Sequence, residues 1–278
     1  ANMSNSQEVL GKAIMIAAVL NEPNIDPEVA AKQKSKLVEM AMSASTTLEK
    51  DEGAITQQAQ FFESLGSNNM DEDTGTKVLD MVGNLADASQ EVGRITTEAT
   101  TALTGTLGSF LMAEYAKSAR RRLSGGASNS GGANVKKVLK IYGVVDNVMG
   151  AVASGKISGE APSQISTSQF DAMVENASPS SYSNVARTTS SGIGITLSSE
   201  IFQSSEISFT SEVQTIIVRF KGSPALDNNA ATLASDAVRI VVRNESGPVS
   251  VSNLSVPIGL TIPITPAAAP QPMVAVVG

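Results

Sequence analysis

Apolar residues recur at helical spacing through the first 155 or so positions of this chain, and alternate with polar ones after that. Val9, Leu10, Ala13, Ile14, Ala17, Val19 and Leu20 predict a first helix, opened by a Ser4/Gln7 capping box. Asp26-Pro27 is a second start signal, a cap followed by proline at the first helical position. It predicts a helix to about Ser45 with Val29, Leu37, Val38 and Met40 inward and Lys32, Lys34 and Lys36 on wet faces. A third helix is predicted over 51–65, stopped by Gly66, and a fourth from about Asp71 with Val78, Leu79, Val82 and Leu85 inward. The fifth is the longest, about 91–122, with Val92, Ile95, Ala99, Leu103, Leu107, Phe110 and Leu111 on its apolar face. After a Gly/Ser-rich loop at 124–132, a sixth covers about 135–152, with Val135, Val138, Leu139, Tyr142, Val145 and Met149.

The texture changes near 155–162. Ser, Thr, Val and Ile then alternate between frequent turn signals, predicting strands at 164–170, 193–197, 206–209, 213–220, 237–243, 249–254 and 259–264. The 213–220 run is apolar on both faces, as a central strand is. Helices followed by strands, without βαβ alternation, predict an α+β fold. Its parts are a helical subdomain at 1–155, an antiparallel β-sandwich at 156–264 and a proline-rich tail or linker at 265–278.

Composition then narrows the chemistry. The 278 residues include no His, no Cys and no Trp. A Ser-His-Asp or Cys-His nucleophile, a His/Cys zinc site and a disulfide are therefore impossible within the chain. The expectation is no catalysis, no cofactor and no metal. Net charge is −7, which argues against nucleic acid as a partner. No apolar run reaches the length of a membrane helix, so contact with a membrane is expected only through sequence outside the chain.

Several short patterns carry candidate chemistry. Asn69-Met-Asp71-Glu-Asp73 resembles the start of a calcium loop, but Thr74 stands where the sharp turn needs glycine. An acidic first helical turn is the simpler reading. Gly126 and Gly131 have phosphate-loop spacing without the Lys-Ser/Thr that follows in such loops. Lys117, Arg120, Arg121, Arg122, Lys136, Lys137 and Lys140, against the single acid Glu114, form a basic segment that is a candidate contact for an acidic protein partner or anionic headgroups, the simpler reading being two helix ends that meet at a solvated loop. Asn2, Asn176, Asn244 and Asn253 head glycosylation sequons, in the number that chance would produce.

The stretch 236–264, DAVRIVVRNESGPVSVSNLSVPIGLTIPI, resembles the β-subdomain of GAIN domains, and most closely that of polycystin-1-like proteins. The preceding helices resemble the helical subdomain of the same module. The resemblance implies a non-enzymatic extracellular juxtamembrane module on the plasma or ciliary membrane. Its work would be adhesive or mechanical, and its partner an extracellular filament or a polycystin-2-like channel. The proteolysis segment of that family, with its Cys, Trp and His-Leu-Thr/Ser triplet, has no counterpart here, so autoproteolysis within the chain is not implied. It would also leave an open, apolar sheet edge near 259–264. The alternative reading is a secreted filament or surface structural protein, which the absence of Cys, His and Trp with abundant Ala, Ser, Thr and Gln would suit. A carboxylate-dependent hydrolase is a third reading, without a convergent acid pair to support it.

Overall fold

A computed structural model describes residues 3–46, 48, 50–123, 131–182, 185–197, 202, 212–221, 236–244, 247–248 and 258–263; 3–5, 118–123, 131–134, 247 and 248 are described by backbone alone. Among them are six helices: α1 (Met3–Val19), α2 (Pro27–Ser45), α3 (Glu52–Leu65), α4 (Glu72–Val92), α5 (Thr97–Leu123) and α6 (Gly131–Ser154). Three start on an aspartate cap. Asp26 accepts from the N–H groups of Glu28 and Val29, Asp51 from that of Ala54, and Asp71 from that of Thr74. The predicted fifth helix is cut short at its start. Gly93 takes a left-handed φ of 75° and closes α4, which claims Val92. Thr96 then opens α5, its Oγ1 accepting from the N–H of Ala99.

The inward face of α2 also differs from expectation. Val29 and Met40 are exposed, while Ala30, Lys34, Leu37, Val38, Ala41 and Ala44 face inward. Three alanines on that stripe leave little side-chain bulk between α2 and its neighbours. Lys34, expected on a wet face, is fully buried, and Leu139 of α6 is half exposed rather than inward.

The strands form two antiparallel sheets, so the α+β fold stands. The first has the order β1 (Ser163–Ser166), β2 (Phe170–Ala177), β5 (Val213–Phe220), β6 (Ala237–Asn244), β7 (Gly247–Pro248). The second has the order β3 (Ala186–Thr188), β4 (Gly194–Thr196), β8 (Gly259–Thr261). The strand expected at 164–170 is β1 and the turn after it, and β2, one of the two central strands, was not expected from the sequence beyond its first residue, Phe170. A turn at Thr167 separates them, its N–H bonded to Phe170 O at 2.8 Å and its Oγ1 accepting from the N–H groups of Gln169 and Phe170. The strands expected at 206–209 and 249–254, and the tail at 265–278, lie outside the described residues.

The first sheet is the middle layer of three. Its β2–β5 register pairs Phe170 with Phe220, Ala172 with Val218 and Val174 with Ile216. These residues belong to one continuous core with α1 to α6. On the opposite face Met173, Ala177, Val213 and Ile217 pack with Ile193, Ile195 and Leu197 of the second sheet side. The sheet thus has no wet face at its centre, and both central strands are almost wholly buried. Tyr142 of α6 stacks on Phe220, ring centroids 3.7 Å apart, and its hydroxyl lies 3.0 Å from that of Tyr115 on α5. In the second sheet β8 pairs, among the described residues, with β4 alone, and Leu260 and Ile262 are largely exposed there.

Candidate functional site

The basic segment is largely spoken for by the fold itself. Lys117 lies 2.7 Å and Lys137 3.3 Å from Glu114, whose carboxylate is buried between α5 and α6. Lys140 pairs with Asp80 of α4 at 2.7 Å. These pairs fasten α6 to α4 and α5, while Lys136 is exposed. Arg120, Arg121 and Arg122 fall in the last turns of α5 by backbone, and their side chains lie outside the described residues, as does the loop at 124–130.

The sequons separate in the same way. Asn176 is 1% exposed, and its Nδ2 donates to Lys156 O at 2.9 Å and to Glu212 Oε2 at 2.7 Å. A glycan on that nitrogen would displace both bonds and has no room in the core, so Asn176 is not a glycosylation site of the folded chain. Asn244 ends β6, half buried, and Asn2 and Asn253 lie outside the described residues. The acidic turn is a helix start. Asp71 accepts from the N–H and the hydroxyl of Thr74, and the backbone bond holds its carboxyl below the usual range. Asp73 pairs with Lys77 at the surface, and among the described residues no three carboxylates converge as a metal site would need.

The polar group that joins the helices to the sheet was not singled out from sequence. Asp146 of α6 is 9% exposed; its Oδ2 accepts from Arg239 Nε of β6, and its Oδ1 is buried with no hydrogen-bond partner. Burial pushes its carboxyl up to about 6 from 3.8, against the pull of Arg239 and Arg243. Arg243, also on β6, donates to Gln90 Oε1 of α4 at 3.0 Å, and its Nε is buried without a partner. Gln90 Nε2 reaches Asn147 O, and Asn147 Nδ2 reaches Asp87. The guanidinium fits because residue 150 is glycine: a Cβ there would fall inside it. The signal available in sequence was one acid, Asp146, within the apolar run 141–149. Nothing marked its partners, nearly a hundred residues away.

A groove of about 840 Å³ runs along the other end of the same seam, between α5 and β1. Thr97, Thr101, Thr104, Gly105 and Gly108 form its α5 wall, and residues 163–168 the opposite one. Ile95, Met112, Val152 and Ile165 supply apolar surface, and the buried Lys156 donates to Ser163 Oγ in the lining. The lining offers hydroxyls, small side chains and the charged groups of Glu63, Arg94, Lys156 and Glu160.

Against family models and curated proteins, the chain finds no match. Among solved structures, the full extracellular region of zebrafish Gpr126/Adgrg6 is similar, with a TM-score of 0.46 and 15% identity over 75% of this chain. The chain spans 27% of the length of that region. Among the described residues, no helix is long and apolar enough to cross a membrane.

Proposed function

We propose that this chain is a non-enzymatic extracellular module of GAIN type that couples contacts made outside a cell to a membrane protein of which it is part. The observation that carries the coupling is the single core running from all six helices into β2 and β5, reinforced at its rim by the Asp146–Arg239 pair. A load on either part is borne by the other, because separating them would expose Tyr142, Phe170 and Phe220 to water. The absence of His and Cys supports a role without catalysis. The resemblance of 236–264 supports the finer reading: a polycystin-1-like protein on the plasma or ciliary membrane, partnered by a polycystin-2-like channel.

Single-molecule stretching between the two ends of the chain tests the coupling. Helices and sheet are expected to give way in one event. Release of the helical length at a force well below that of the sheet would overturn it. Antibody labelling of the full-length protein on intact cells tests the placement; label that appears only after permeabilisation overturns it.

The exposed β8 edge, with Leu260 and Ile262 in the open, favours one second reading, a self-assembling surface or filament protein. Concentration-dependent assembly of the isolated chain, lost on Leu260→Lys, would select it.

A further inference from the structure

The groove between α5 and β1 has a one-sided hydrogen-bond polarity. A threonine or serine hydroxyl carries one hydrogen and two acceptor lone pairs. Along the α5 wall those hydrogens are committed to the helix itself. Thr100 donates to Thr96 O at 2.9 Å, Thr101 to Thr97 O at 2.9 Å, Thr104 to Thr100 O at 2.7 Å and Ser109 to Gly105 O at 3.0 Å. All four residues line the groove, and their oxygens keep acceptor capacity. These hydroxyls can therefore accept from a ligand but have no hydrogen left to give it.

The charges of the lining point the same way. Lys156 is engaged by Ser163 Oγ at 3.1 Å and by Glu160 at 3.4 Å, and Arg94 by Glu52 at 3.6 Å. The carboxylate of Glu63 has no hydrogen bond or ion pair among the described residues. Its Oε1 lies 3.4 Å from where a Cβ on Gly105 would stand, so it rests on α5 next to Thr104 and four residues from Thr101. The uncompensated charge of the groove is thus negative, and it sits among acceptors.

We propose that this groove binds a linear polyamine, with its ammonium groups on the Glu63 carboxylate and on the hydroxyl oxygens of Thr100, Thr101 and Thr104. An ammonium donates and accepts nothing, which is the complement of this wall. A sugar or a peptide brings acceptors as well, and these hydroxyls have no donors to return. The spacing also fits. Thr100 and Thr104 are four residues apart on one helix, about 6 Å along its axis, a span that a chain of three or four methylenes covers. Ile95, Met112, Val152 and Ile165 give such methylenes apolar surface. The groove volume of about 840 Å³ falls within the range of small-molecule sites, about 300–1,000 Å³.

Isothermal titration of the full chain with spermidine at low ionic strength tests this. Saturable one-to-one binding is expected, weakening as salt is added. Glu63→Gln is expected to weaken it at least about tenfold, since it removes the one charged acceptor. Glu63 is exposed and no described residue is bonded to its carboxylate, so the fold survives the change. Thr101→Val, also at an exposed position, is expected to weaken binding about threefold. Glu22→Gln removes an exposed acid outside the lining and is expected to change affinity less than about twofold. Absence of saturable binding overturns the proposal. Equal weakening by Glu22→Gln and Glu63→Gln also overturns it, because the attraction would then belong to the net charge of −7. So does displacement of spermidine by an equal concentration of magnesium, which brings charge without methylenes. Tighter binding of tetralysine than of spermidine overturns the assignment to a small ligand and gives the groove to a basic peptide.

Discussion

Arg239 on β6 gives its Nε–H to Oδ2 of Asp146 on α6, across the seam where helices meet sheet. The two ends of this pair live in different media: the aspartate side chain is 12% exposed and the arginine 49%. The arginine can therefore leave for water at small cost, whereas the carboxylate cannot. Its second oxygen is already without a hydrogen-bond partner.

Removing the arginine should hurt at neutral pH and matter less in acid. A fully buried pair broken on one side costs about 3–5 kcal/mol. Half-exposure of Arg239 screens the interaction, so Arg239→Ala is expected to cost about 1–2 kcal/mol near pH 7. Near pH 4.5 the carboxyl of Asp146 takes up a proton in the fold and the cost should shrink. Urea unfolding of both chains at the two pH values measures it.

Asp146→Asn isolates the carboxyl itself. Its value in the fold is raised, so between 3.8 and about 6 the folded chain holds a proton that the unfolded chain has lost. The stability it contributes is present below this window and is lost as pH rises through it. The wild type is expected to lose more stability than Asp146→Asn between about pH 4 and pH 7. Parallel curves for the two chains would contradict this.

Gly150 and Arg243 should be coupled. Gly150→Ala alone forces the Arg243 guanidinium off Gln90, and is expected to destabilise by about 1 kcal/mol despite the better helix propensity of alanine. In an Arg243→Ala background the severe contact is gone and only the end of the Gln90 side chain, its Nε2 3.3 Å from the new Cβ, must give way, so the same change is expected to stabilise by up to about 1 kcal/mol. A double-mutant cycle in thermal unfolding reads the sign change.

Lys34 is fully buried, and its Nζ donates to Asn21 Oδ1 at 2.6 Å and to Asn68 O at 2.7 Å, tying the α1–α2 turn to the α3–α4 loop. Burial pushes its ammonium down to about 8 from 10.5. Between these values the unfolded chain keeps a proton that the folded chain has released, so the contribution of Lys34 to stability rises with pH across that window. Lys34→Met is expected to cost about 1–3 kcal/mol by orphaning two acceptors, and to lose that rise. Tyrosines 115, 142 and 182, pushed up mainly by burial, act oppositely at the alkaline end in both chains, so the wild-type minus variant difference isolates Lys34.

Asn176 should carry no glycan when the chain is made in a secretory host. Peptide mass mapping of folded material is expected to find residue 176 unmodified, and occupancy there would overturn its placement in the core. Asn176→Ala is expected to cost about 1–3 kcal/mol, since Lys156 O and Glu212 would lose their donor.

The helices were legible because their information is local. Asp26-Pro27, Asp51, Asp71 and Gly66 cap their own turns, and the apolar period within each segment names most of its buried face. Strands β5 and β6 were legible for the same reason, as unbroken β-branched runs. What local pattern misplaced were charged residues. Strand β2 reads as polar at Asp171, Glu175 and Asn176, yet it is buried along its whole length. Lys221 supplies the partner of Asp171 at 2.7 Å and Arg187 that of Glu175 at 2.6 Å, one from the end of β5 and one from β3. Lys34 and Asp146 follow the same rule. A charge enters a core when distant elements bring it hydrogen bonds, and those elements are adjacent only in the folded chain. Periodicity and caps were therefore sufficient to set which segments are helix and where most begin. Which charged side chains leave the water, and so where helices and sheet are joined, was decided only by the tertiary structure.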